Sequence, residues 1–182
     1  MDRRSALIQL GITAGGILAF TACHNKDQKA ITDAYSKLGI SETEQNFVHA
    51  LGESIIPSDP QVKGSSDLNL GSFVLLMVND CMSQDDQTKY VKGLRTFKKS
   101  VEKLKLKDQA LLDAITTGIN GDENNPEEMP IRVFLSRTKE YLIQGFITSQ
   151  YFMTEIMPYQ MIPGKFNGKF EIPPNHKVNM YG

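Results

Sequence analysis

Ser41-Glu42-Thr43-Glu44-Gln45-Asn46-Phe47-Val48-His49-Ala50-Leu51-Gly52-Glu53-Ser54-Ile55-Ile56-Pro57 is the stretch whose reading decides the fold. Ser41 and Glu44 stand in the spacing of a capping box, and the apolar Ile40 precedes them as a staple. Phe47, Val48, Leu51 and Ile55 then recur at helical spacing. Pro57 stops the run, because proline has no backbone N–H to continue it. The pattern predicts an amphipathic helix that needs an apolar partner surface.

Four further stretches supply that surface. Leu70, Phe73, Val74, Met77, Val78 and Cys81 predict a second helix over 68–81, with Cys81 read as a small buried apolar residue. A third begins near Ser83, with Asp86 in capping-box position, and turns Tyr90, Val91, Leu94, Phe97, Val101 and Leu104 inward. Asp108 reads as the cap of a fourth, with Leu111, Leu112, Ile115 and Ile119 inward and Gly118, Asn120 and Gly121 at its close. Pro130 suits the first turn of a fifth, with Phe134, Leu135, Leu142 and Phe146 inward, continuing to about Met157 before Pro158. The fold class is therefore all-α, a compact domain of about five helices over 41–157. Residues 158–182 carry Tyr159, Met161, Ile162, Phe166, Phe170 and Ile172 among prolines and glycines. This reads as an extended apolar C-terminal segment that packs on its own domain or on a partner.

Ahead of the domain, Arg3 and Arg4 lead an apolar run from Ala6 to Phe20, and Phe20-Thr21-Ala22-Cys23 follows. A charged start, an apolar middle and a small-residue end make an export signal over 1–22. The run is interrupted by Gln9 and three glycines, and it is shorter than the roughly 20 apolar residues a spanning helix needs. The final four residues resemble a bacterial lipobox, which makes Cys23 the lipidated first residue of the mature chain. Arg3-Arg4 resembles the pair of a twin-arginine signal, which exports folded proteins. Residues 23–40 then read as a polar tether. These features place the domain in the cell envelope, on the periplasmic side, lipid-anchored to a bacterial membrane.

Composition and motifs exclude more than they assign. The chain has 182 residues and a formal net charge of −1, so no global field attracts nucleic acid. Lysines 98, 99, 103, 105 and 107 are flanked by acidic Asp85, Asp86, Glu102 and Asp108, which favours a solvated face over a patch for anionic lipid or an acidic partner. The three histidines, His24, His49 and His176, have no partner at metal-ligand spacing. The acidic stretch from Asp122 to Met129 lacks the spaced ligands of a calcium loop. Glu53 and Glu155 are the acid/base candidates, with a salt-bridged or solvent-facing role as the plainer reading. No catalytic, cofactor-binding or metal set is expected in this chain.

Three stretches carry a family resemblance. The first is the start, Asp2-Arg3-Arg4-Ser5-Ala6-Leu7 with Gly15-Gly16. The second is Glu53-Ser54-Ile55-Ile56-Pro57, with a following Asp-containing loop and Asn79-Asp80-Cys81. The third is Gly145-Phe146-Ile147-Thr148-Ser149, with Glu155-Ile156, Tyr159 and Pro163-Gly164. Together they resemble the gluconate 2-dehydrogenase subunit 3 (gamma, or small subunit) family. The family spelling Thr-Ser-Glu-Ile-Gly is contiguous, whereas here Gln150 follows Ser149 and Glu155-Ile156 comes later.

The resemblance implies a non-catalytic small subunit without its own cofactor. Its partner would be a large flavoprotein of the glucose-methanol-choline (GMC) type, which holds FAD and oxidises a sugar, sugar acid or polyol. A cytochrome c often takes the electrons. The small subunit would aid maturation and export of the flavoprotein, and here also its membrane attachment. Pro57, Tyr151, Phe152, Tyr159, Phe166 and Phe170 are the partner-contact candidates. The alternative is a stand-alone envelope lipoprotein with a binding or scaffolding role. Mature protein from native membranes is expected to begin at Cys23 and to carry lipid mass. Intact-mass spectrometry checks both, and a different N-terminus removes the anchor from this reading.

Overall fold

The computed structural model describes residues 35–122, 124–158, 169, 171 and 174. The export signal with Arg3 and Arg4, the lipidation site Cys23, and Tyr159, Phe166 and Phe170 lie outside the described residues, as does most of the C-terminal segment. The chain forms two compact units, Met1–Gly39 and Ile40–Gly182. In the first, a 3-10 turn over Ser36–Leu38 ends at Gly39, whose φ of 56° is the left-handed conformation glycine tolerates best.

The second unit is all-α among its described residues. Its helices are α1 (Glu42–Ile55), α2 (Leu70–Cys81), α3 (Gln84–Leu104), α4 (Asp108–Ile119) and α5 (Glu128–Ile147), followed by a π-helical turn over Phe152–Ile156. At the start of α1 the full capping box forms: the Ser41 hydroxyl accepts from Glu44 N–H, and the Glu44 carboxylate accepts from Ser41 N–H at 2.7 Å. The same carboxylate binds Arg95 Nε on α3 at 2.7 Å. Burial pushes the Glu44 pKa up, but the Arg95 and Ser41 bonds outweigh it and hold the carboxyl below its usual range.

Helix α5 is the hub, packing against α1, α2, α3 and α4. Phe134, Leu135, Thr138 and Leu142 on it are fully buried. Tyr90 of α3 meets Phe134 edge-on, with centroids 5.1 Å apart, and Phe97 adds a tilted contact at 6.1 Å. The Tyr90 hydroxyl shares a 2.9 Å hydrogen bond with Thr138 Oγ1, so neither buried oxygen is orphaned. Burial raises the Tyr90 pKa far above the ordinary phenol range. Each such large side chain contributes roughly 1.5–3 kcal/mol by leaving water.

Glycine permits the close crossings. A side chain at Gly93 would overlap the backbone carbonyl of Pro130, and one at Gly118 would overlap Leu135. At Gly145 it would overlap the Phe73 ring of α2, and at Gly71 the His49 ring of α1. Between α2 and α3 the turn is tight because Gln87 seals the end of α2. Its Nε2 lies 3.1, 2.8 and 3.2 Å from the carbonyl oxygens of Val78, Asn79 and Met82, which would otherwise lack partners.

Several sequence expectations are corrected. Cys81 is exposed, not buried. It is the last residue of α2, at the edge of the face formed by Leu70, Val74, Leu75 and Val78, and its thiol donates weakly to the Met77 sulfur at 3.9 Å. Asp108 is the first residue of α4 with a left-handed φ of 47°, and Lys107 precedes the helix without a side-chain cap. Only Ile115 of α4 is buried, and Leu112 is exposed, because this short helix rests on α5 along a narrow strip. Leu104 is also exposed, since α3 outruns the hub.

The fifth helix does not continue to Met157. Thr148 Oγ1 donates to the Gln144 carbonyl at 2.7 Å, and Ser149 Oγ donates to the Phe146 carbonyl at 2.7 Å while accepting from Phe152 N–H at 3.1 Å. The ladder ends at Ser149, whose N–H turns to the Phe146 carbonyl at 3.1 Å while its hydroxyl caps the next turn. Replacing Gly93 by alanine is expected to force α3 off α5 and to cost about 1–3 kcal/mol, read as a lowered midpoint in thermal or urea unfolding.

Candidate functional site

The loop between α1 and α2 is organised by one carboxylate. Glu53, on the last turn of α1, accepts from Ser58 N–H at 2.6 Å and from Ser58 Oγ at 3.3 Å. It also accepts from Ser66 N–H at 2.9 Å and from Ser66 Oγ at 2.6 Å. The hydroxyl of Ser66, with the other three donors, outweighs the burial effect and holds the Glu53 pKa down at about 2. A carboxyl with so low a pKa is a poor proton carrier near neutrality, so Glu53 fastens the loop. Neither a salt bridge nor free solvation describes it.

The rest of the loop follows the same logic. Ser65 N–H donates to the Ile56 carbonyl at 2.8 Å, and Asp59 Oδ1 accepts from the N–H groups of Gln61 and Val62 at 2.7 Å each. Gly64 is packed so tightly on the backbone of Pro57 and Ser58 that no side chain fits. Pro57 itself is exposed at the outer edge.

This loop forms one wall of a cleft of about 650 Å³. Leu70, Phe73 and Gly145 make its apolar floor, and Thr148, Ser149, Gln150, Tyr151, Thr154 and Glu155 form the opposite wall. Lys63 crosses between them. Its N–H donates to the Tyr151 hydroxyl at 3.3 Å, and its ammonium stands 5.3 Å from the centre of the Tyr151 ring. The break after Ile147 is what turns Tyr151 toward the loop. π-helical turns are rare and often sit at functional sites.

The remaining candidates sit apart. Phe152 is half-buried and meets Phe146 edge-on at 5.5 Å. His49 is half-buried where α1 crosses α2, and burial lowers its pKa, so it is neutral at pH 7. Glu155 lines the cleft, about a helical turn from Tyr151. Among the described residues no three His, Cys, Asp or Glu side chains converge as a metal site, and no helix is long and apolar enough to cross a membrane. Lys63 carried no signal in the sequence, because nothing in a loop's spacing reports which distant aromatic it meets.

The sequence profile described as gluconate 2-dehydrogenase subunit 3 matches residues 42–164, from the first residue of α1 through the cleft wall and beyond. The chain belongs to that family. No curated protein and no solved structure matches it. The gluconate 2-dehydrogenase subunit 3 match spans both the Glu53 staple and the helix break, so the cleft lies wholly inside the family region.

The Glu53 linkage has a defined sign. Its carboxyl pKa is lower folded than unfolded, so the stabilisation is complete above the ordinary carboxylate pKa near 4.5 and is lost as pH falls toward about 2. Glu53→Gln is expected to flatten the stability profile in that acid window. At pH 7 it should cost roughly 1–2 kcal/mol, the solvent-accessible setting holding it below the full worth of charged hydrogen bonds. Urea unfolding of both forms across pH checks this.

Proposed function

We propose that this chain is the non-catalytic small subunit of a membrane-associated, FAD-dependent dehydrogenase whose GMC-type flavoprotein oxidises a sugar, sugar acid or polyol. Family membership over residues 42–164 is the observation that carries the reading. The family is named for one subunit of a multi-subunit dehydrogenase, which makes a larger partner part of the proposal. FAD belongs to that partner, and a cytochrome c is the proposed electron acceptor. The small subunit aids maturation and export of the flavoprotein and, through the lipid on Cys23, its membrane attachment.

The surface supports a docking role. Ile143 and Ile147 stand one turn apart on α5, 44 % and 46 % exposed, and Ile156 on the π turn is 36 % exposed. Large exposed aliphatics in series are the kind of surface that protein interfaces cover. The Tyr151–Lys63 cleft adds a polar, recessed feature into which a partner side chain fits.

Tagged chain captured from detergent-solubilised native membranes is expected to bring down a stoichiometric flavoprotein and a yellow preparation with a flavin absorbance band. Ile143→Asp with Ile147→Asp should lower that recovery at least tenfold while leaving the helical circular dichroism unchanged. A colourless single chain would favour the stand-alone envelope lipoprotein instead.

A further inference from the structure

The end of α3 and the turn into α4 form a surface that the subunit reading does not use. From Lys98 to Asp108 the chain carries five lysines and two acids, a local net charge of +3. Lys98 is occupied with Glu102 at 3.7 Å. Lys99, Lys103, Lys105 and Lys107 are exposed and make no ion pair among the described residues. Amid them stands Leu104, 64 % exposed, the most exposed large hydrophobic side chain among the described residues. Lys105 holds a left-handed φ of 50°, the place at a helix end that glycine usually takes.

We propose that this end of the domain docks on a membrane surface, with the four lysines on anionic phospholipid headgroups and Leu104 inserted at the headgroup–acyl boundary. The chemistry favours lipid over an acidic protein. Protein interfaces are depleted in lysine and enriched in arginine and aromatics, whereas the basic residues of this stretch are all lysine and no aromatic stands among them. Lysine stems lie along apolar surface while their ammonium groups reach phosphate, and a basic stretch beside an apolar residue is the composition that binds at the bilayer interface. The docking would orient the domain on the bilayer to which the lipid on Cys23 tethers it. It rests on the membrane-tether part of the proposed function.

The chain has no tryptophan, so Leu104→Trp places a single reporter at the surface. The full chain carrying it is reconstituted with vesicles of phosphatidylcholine, with and without phosphatidylglycerol. The emission is expected to shift to the blue only with phosphatidylglycerol, and to return at high salt as the charges are screened. Lys103→Gln, Lys105→Gln and Lys107→Gln together should lower the docking equilibrium constant about fivefold per lysine, on the order of a hundredfold in all. A reporter placed by Leu112→Trp, on α4 outside the basic stretch, should keep its water-exposed emission throughout. Flotation with neutral vesicles reports the lipid anchor separately, so the two readings fail independently. Emission of the Leu104→Trp chain that is unchanged by phosphatidylglycerol overturns the docking. So does a blue shift that appears only when the flavoprotein is added to neutral vesicles, which would assign the surface to a protein.

Discussion

The close approach of every neighbouring helix to α5 is the constraint on which the rest of the structure depends. α3 and α4 reach α5 through Gly93 and Gly118, and α2 is received at Gly145 of α5 itself. α1 crosses nearby through Gly52, which faces Ser65 and Leu142. Short interaxial distances let Phe134, Leu135, Thr138 and Leu142 fill the space between four neighbours from a single helix. Cores packed this tightly tolerate neither a cavity nor an added methyl without cost. The buried polar pair in the centre, Tyr90 with Thr138, satisfies itself and so adds directional matching to an otherwise non-directional contact.

Glu53 extends that order from the helices to the surface. Four donors from Ser58 and Ser66 converge on it, so the segment after Pro57 is held at both of its ends to the last turn of α1. The run Glu53-Ser54-Ile55-Ile56-Pro57 thereby gains a physical meaning. The proline ends the helix, and the carboxylate one turn earlier catches the chain that the proline releases. The position of Lys63, and through it the cleft facing Tyr151, is a consequence of this staple.

The surface of the domain differs in chemistry from one region to another. One region presents aliphatic side chains, Ile143, Ile147 and Ile156, suited to a protein partner. Another, around Leu104, presents lysines and one leucine, suited to an anionic bilayer. The proposed attachment of a flavoprotein at a membrane would use two such surfaces of different chemistry, because apolar protein contacts and headgroup contacts select different side chains.

The sequence by itself determined the all-α class, the number of helices in the domain, and most of their inward residues. Helical periodicity and end signals act over a few residues and are written locally: Ser41 with Glu44, Ser83 with Asp86, Pro57 as a stop. The family resemblance was likewise legible in short motifs. What only the tertiary structure decided depends on distant groups. Cys81 and Leu104 satisfy the apolar period but are the last residues of their helices and stand exposed. The break at Thr148 and Ser149 turns on which carbonyls their hydroxyls find. Glu53 read in the sequence as an acid/base candidate or a salt-bridged or solvent-facing carboxylate, and Ser66, thirteen residues on, folds back against it. Local patterns fix the elements because backbone hydrogen bonding is short-ranged. Which side chain becomes a staple, a cleft wall or an exposed anchor is set by the packing of whole helices, and no window of sequence contains that.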